Sequence, residues 1–344
     1  MTIQSDYTVG LGKETTYGTP VTPTRFLEAD SSIKESVTTK QGNGMRPGHR
    51  VARGDRRVVV KRASSGDITL DAMSTGLGFV LGAFFGVSSI APVGATAARQ
   101  QVHTLKRGDF ADSYTIQQGI PRLGSTITDA YTYAGAQCGQ LDIEAKADDL
   151  VTVKTSWTAR ELFRDQAYAA PSYPAALDLF TFVGGRIALG GAAFVAPTST
   201  TLASAGAELA TVREVSLSLN NGLDENGFNL GGRGRRSRPA AYTGMKADAL
   251  GGSVTVEYTD RTFVDAYLDQ ADLSMVLTFE GPEEIAAGVV PVLQIAYPLV
   301  RLDGDLPTGN KGDVITVQHS LVGLTPSTGA EPVYAVYRSL DTTL

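Results

Sequence analysis

The chain has 344 residues, 42 % of them apolar and 19 % charged, with a formal net charge of −6. That balance excludes disorder of the whole chain, and its acidic sign argues against a general nucleic-acid binder. The length suits two domains; 38 glycines favour short strands and tight turns, and the lone Cys138 excludes an intrachain disulfide or a cysteine-based zinc site.

The amino terminus, MTIQSDYTVG, lacks the basic and apolar runs of a signal peptide. Residues 1–24 close on Tyr17-Gly18-Thr19-Pro20-Val21-Thr22-Pro23-Thr24, and the two X-Pro steps bias this stretch to an extended arm. An arm that packs on nothing in its own chain needs a partner or stays mobile. Ile33 to Lys40 reads as a strand and Gln41 to Asp55 as a long loop rich in Gly and Arg. Gly66 to Asp71 alternates apolar and polar residues, the mark of a half-buried strand. From Ala72 to Ala98 there is no charge, and Leu77 to Phe85 reads as a buried helix. Gly76, Gly78, Gly82, Gly86, Pro92 and Gly94, with no basic cluster nearby, argue against a membrane span.

Further on, Leu141/Ile143/Ala145 and Asp149 to Trp157 read as strands, and Gln166 to Pro174 as a Pro- and Ala-rich linker. Gly184 to Gly206 reads as a surface excursion. Then the order returns. Val212 to Asn220 is a strand, Asn221 to Gly244 a second Gly- and Arg-rich loop, and Gly252 to Tyr258 a strand. Arg261 to Gln270 is a helix with Phe263, Ala266 and Tyr267 on one stripe. Asp313 to Leu321 parallels Asp149 to Trp157 with the same face apolar, and Leu293/Ile295/Tyr297 is matched to Leu141/Ile143/Ala145. The chain is thus written twice. The expected organisation is an arm at 1–24, a β-domain at 25–165, a linker at 166–177 and a second β-domain at 178–344.

No catalytic motif is present. His49, His103 and His319 are scattered and lack metal-ligand spacing, and His319 falls on an apolar strand face as a core histidine. Gly10-Leu11-Gly12-Lys13-Glu14-Thr15 matches only the end of a phosphate-binding loop, since Tyr7 stands where its first glycine belongs. No serine elbow or dinucleotide fingerprint occurs, so no enzyme activity and no cofactor are expected. The concentrated charge is basic: Arg46, Arg50, Arg53, Arg56, Arg57, Lys61 and Arg62 in the first loop, and Arg233, Arg235, Arg236 and Arg238 in the second. Such arginines suit ion pairs with a neighbouring subunit or contacts to phosphate; a solvated loop is the plainer reading.

Gly12-Lys13-Glu14-Thr15-Thr16-Tyr17-Gly18-Thr19-Pro20-Val21-Thr22-Pro23-Thr24 resembles the opening arm of the tail tube (major tail) proteins of long-tailed, non-contractile phages. The loop from Gly42 to Arg50 and the Gly66–Leu70 strand with its apolar helix to Gly86 are similar too. The resemblance is clearest over the first 90 residues. It implies a mainly β fold of two tandem β-sandwich or barrel domains, each with a flanking helix and a long loop. It also implies assembly with copies of itself into stacked rings, the conduit for viral DNA, made in the host cytoplasm and carried in the virion tail. A tape-measure protein and a tail terminator are the implied partners, with no membrane and no specific hold on the DNA. Two fused modules predict trimeric rings with pseudo-sixfold symmetry. The first-loop arginines (Arg46, Arg50, Arg53, Arg56, Arg57), the second-loop arginines (Arg233, Arg235, Arg236, Arg238), Tyr17 and Pro20 are expected where rings stack. Another tail ring protein (a terminator or baseplate hub) and a two-domain β-sandwich adhesin are the alternatives.

Overall fold

The computed structural model describes residues 5–108, 111–174, 177–224, 226–231, 249–309, 312–327 and 329–343. It is mainly β and antiparallel. In chain order the elements are β1 (Thr8–Lys13), β2 (Arg25–Leu27), β3 (Ala29–Ser31), β4 (Lys34–Gln41), β5 (Arg57–Asp71), α1 (Leu77–Phe85), β6 (Gly86–Pro92) and β7 (Arg99–Leu105). Next come β8 (Tyr114–Pro121), β9 (Thr128–Lys146), β10 (Thr152–Ala159), β11 (Glu161–Phe163) and β12 (Gly185–Gly190). The chain finishes with β13 (Val212–Asn220), β14 (Leu250–Glu257), α2 (Thr262–Leu268), β15 (Leu273–Glu280), β16 (Val292–Gly304), β17 (Thr316–Gly323) and β18 (Tyr334–Ser339).

One long sheet runs through both halves in the order β3/β4, β5, β10, β9, β13, β14, β17, β16. β9 and β16 are long enough to leave this sheet and enter a second layer. There the first half is covered by β2, β1, β8, the start of β9 and β11. The second half is covered by β12, β15, the start of β16, β18, β7 and β6. The pairing pattern is the same twice: β5–β10–β9 corresponds to β14–β17–β16, and β1–β8–β9–β11 to β12–β15–β16–β18. Period-two alternation explains the layering. Ile68, Leu70, Val153, Trp157, Leu141 and Ile143 point one way from the long sheet, and Val215, Leu217, Val254, Val256 and Leu321 continue that face. Facing them are Val9, Leu11 and Ile116 in one half and Ile187, Leu277 and Phe279 in the other, and a single apolar cluster spans both. Tyr114 from β8 meets Trp157 from β10 edge-on, with centroids 5.9 Å apart.

Three expectations need correction. Residues 8–13 are not a free arm: β1 is hydrogen-bonded between β2 and β8, with Val9 and Leu11 fully buried. Its neighbours press close, so that a Cβ on Gly10 would stand 2.8 Å from both Phe26 and Pro23. The stretch from Gly184 to Gly206 is not all excursion, since it contains β12, which pairs along β15 and buries Ile187 and Leu189. The register of β9 against β16 also differs. Leu141 opposite Thr155 corresponds to Gly304 opposite His319, whereas Leu293 and Ile295 lie between β15 and β18, as the start of β9 lies between β8 and β11. Leu141/Ile143/Ala145 and Leu293/Ile295/Tyr297 each show a period of two, and such a period fits several registers equally.

The stretch read as a linker lies against β8, where the Gln117 amide donates to the Ala167 carbonyl (3.0 Å) and accepts from the Ala169 N–H (2.8 Å). No helix among the described residues is long and apolar enough to cross a membrane.

Candidate assembly interface

Burying one face of the long sheet leaves the other polar and open. Matched rows of the ladder place Asp142 beside Lys154 and Ser218, and Glu144 beside Thr152 and Ser216. Over the body of the sheet this face carries the carboxylates of Asp30, Asp67, Asp71, Asp142, Glu144, Glu214, Glu257 and Asp303. They outnumber the cations Lys34, Lys146, Lys154, Arg213 and Arg301. Lys154 reaches Asp67 at 3.0 Å, and Arg213 reaches Glu257 at 2.7 Å. Partial burial pushes the Asp67 carboxyl up, but the Ser156 hydroxyl and the Lys154 ammonium outweigh it and hold it below its ordinary value. By count of its acidic and basic side chains, the sign of the face is negative.

Among the described residues, the long sheet does not close on itself. Among the described residues, no strand pairs with the outer side of β3–β4 or with the outer side of Arg301–Gly304 in β16. Unpaired edges template strand addition, and natural sheets either blunt them or use them.

Beyond Ser64, where β10 ends, β4 and β5 continue as a two-stranded ribbon. A ribbon alone is marginally stable, and this one exposes Val37, Val58 and Val60 along its length. At its tip Met45 is 95 % and Val51 82 % exposed. The tip holds itself together: Arg53 pairs with Asp55, the Gln41 amide donates to the Arg53 carbonyl (3.0 Å), and Arg56 donates to the Asn43 carbonyl (3.1 Å). Lower on the ribbon Arg62 pairs with Glu35 at 2.7 Å, and Lys61 lies 4.0 Å over the ring of Phe228. Arg46, Arg50 and Arg57 make no side-chain hydrogen bond or ion pair among the described residues. The structure thus gathers the five first-loop arginines on one projecting finger. Arg233, Arg235, Arg236 and Arg238 lie outside the described residues.

Tyr17 and Pro20 are half-buried in a turn on the covering layer of the first half. The Arg160 guanidinium sits 5.8 Å from the Tyr17 ring centroid, beside the bend of β9 at Gly135. What organises this turn is Glu14, which sequence reading passed over. Its buried carboxylate accepts from the Gly18 N–H (2.9 Å), the Thr115 hydroxyl (2.9 Å) and the Gly135 N–H (2.8 Å). The only signal was its place between Lys13 and the Thr15-Thr16-Tyr17-Gly18 turn.

Catalytic geometry does not emerge at the remaining candidates. No group of three His, Cys, Asp or Glu side chains among the described residues is placed to hold a metal. His319 is buried against Phe263, as its strand position predicts, with Nδ1 left without a partner. Cys138 is fully buried, and burial pushes its thiol far up, away from the reactive thiolate.

A layered β protein with two open sheet edges and a projecting basic, apolar-tipped finger has the construction of a subunit that adds to its own kind. The model of the phage tail tube protein family matches residues 4–325, nearly the whole chain, and the chain belongs to that family. It is a structural protein of the virion. No curated relative matches the sequence.

Proposed function

We propose that the chain forms trimeric rings with pseudo-sixfold symmetry, which stack into the tube of a long, non-contractile tail and guide the DNA at ejection. The observation that carries this reading is the long sheet. It repeats one pairing pattern twice, joins the two at β9–β13, and ends on two edges to which no strand is paired among the described residues. Three such sheets placed edge to edge form a closed wall of six modules. The polar face then lines the lumen. Duplex DNA carries about one negative charge per 1.7 Å and binds basic surfaces by counterion release, so an acidic wall lets it slide.

The finger of Arg46, Arg50, Arg53, Arg56 and Arg57 is the stacking element in this reading, with Tyr17 and Pro20 contributing from the turn and the second-loop arginines repeating the role. Its exposed Val and Met side chains supply area, and its free guanidiniums pair with carboxylates of the next ring. Assembly takes place in the host cytoplasm. A tape-measure protein sets the length and a terminator closes the end.

Electron microscopy of the purified protein tests this directly. Long tubes whose class averages show three chains per ring are expected. Six chains per ring would overturn the trimer, single rings would point to a terminator, and persistent monomers to an adhesin.

A further inference from the structure

The seam inside the chain is a pattern for the seam between chains. β9 and β13 join through Ala145↔Val215, Ile143↔Leu217 and Leu141↔Leu219. The repeated pairings give each of these residues a counterpart. Val254 opposite His319 corresponds to Ile68 opposite Thr155. Their partners on the other side are Val215 and Ser31, so Leu217 maps onto Ile33 and Ser218 onto Lys34. On the second strand, Leu141 opposite Thr155 corresponds to Gly304 opposite His319. Continuing along the chain, Asp142 maps onto Asp305 and Ile143 onto Leu306.

From this we infer that residues 304–309 of one copy extend β16 and pair with β3–β4 of a second copy, Asp305 opposite Lys34 and Leu306 opposite Ile33. The inference rests on the tube reading and names the register at which it closes. Three observations point there. Ile143 is 1 % exposed in the intrachain seam, whereas its counterpart Leu306 is 54 % exposed, an apolar residue waiting for a cover. Asp142 accepts a 2.6 Å hydrogen bond from Ser218 across the seam; at the matching place Asp305 and Lys34 carry opposite charges, and neither side chain has a partner among the described residues. Finally, 142–146 is strand while 305–309 is not. The latter contains Pro307, which lacks an N–H and is confined to edge strands, and Gly309, a poor strand former.

Lys34→Cys combined with Asp305→Cys tests the register. Opposed residues in an antiparallel pair lie about 4.5–5.5 Å apart at Cα, within disulfide range. Oxidised assemblies should run on a non-reducing denaturing gel as a ladder of covalent multimers. Lys34→Cys with Asp303→Cys, two residues out of register, should not cross-link. Cross-linking of the shifted pair, or of neither pair in tubes that form, overturns the register and leaves the tube reading standing. If the double variants do not assemble, hydrogen exchange on wild-type tubes decides. Amides of 304–309 should gain protection relative to the free chain, and free exchange there overturns the inference. Wild-type protein that forms neither rings nor tubes would sink the tube reading, and the register with it.

Discussion

At the scale of single residues, stability hangs on polar groups that the apolar pattern does not announce. Glu14 gathers three donors without any cation, and removing it strands the Gly135 and Thr115 donors in the interior. Glu14→Ala should cost about 3 kcal/mol in urea unfolding, and Glu14→Gln, which keeps one acceptor, roughly half of that. His103 is fully buried, one nitrogen held by the Ser88 hydroxyl at 2.6 Å and the other without a partner. Burial pushes its pKa down to about 3 from an ordinary 6.5. Only the unfolded chain takes up a proton between those values, so stability is whole above pH 6.5 and falls as pH drops toward 3. Going from pH 7 to pH 5 should cost about 2 kcal/mol through this residue, at about 1.4 kcal/mol per pH unit. In His103→Gln that loss should disappear from the difference between unfolding curves at the two pH values.

At the scale of elements, the β4–β5 finger is the part that the fold itself does not need. It projects past β10 and exposes its valines, so replacing Arg50, Arg53 and Arg57 with Glu should leave the monomer's melting temperature unchanged within a degree or two. Tube growth followed by light scattering should stop, and tubes that form normally would remove the finger from the stacking contact. Elements defined by their own sequence were legible beforehand. Leu77–Phe85 is uniformly apolar and is helix over that range, and Gly66–Asp71 and Gly252–Tyr258 alternate cleanly and fall within β5 and around β14. Elements defined by partners were not. β1 was read as part of an arm because the X-Pro steps that follow it favour extended chain, and the ladders that hold it, to β2 and β8, lie elsewhere in the chain. Of the long strands β9 and β16 only the segments at Leu141/Ile143/Ala145 and Leu293/Ile295/Tyr297 were legible, and their alternation fixed a face and not a register. Of the interface, the charge of the finger was visible as an arginine count; the unpaired edges were not, since which strand lies at an edge depends on pairings that a period of two leaves unfixed.

At the scale of the whole molecule, the two halves differ in one respect that their shared pattern makes conspicuous. The hairpin β6–β7 leaves the first half and pairs with β18 of the second, Val102 opposite Val336, so the intrachain seam is crossed in both layers. No such hairpin exists in the second half, where α2 ends at Leu268 and β15 begins at Leu273. In the proposed ring of three chains, every other joint would be strapped by this hairpin and the joints between them would lack it. Such a circle would behave as three stiff arcs meeting at three thinner hinges. A tube made of such circles would flex, ovalise or split along lines one chain apart.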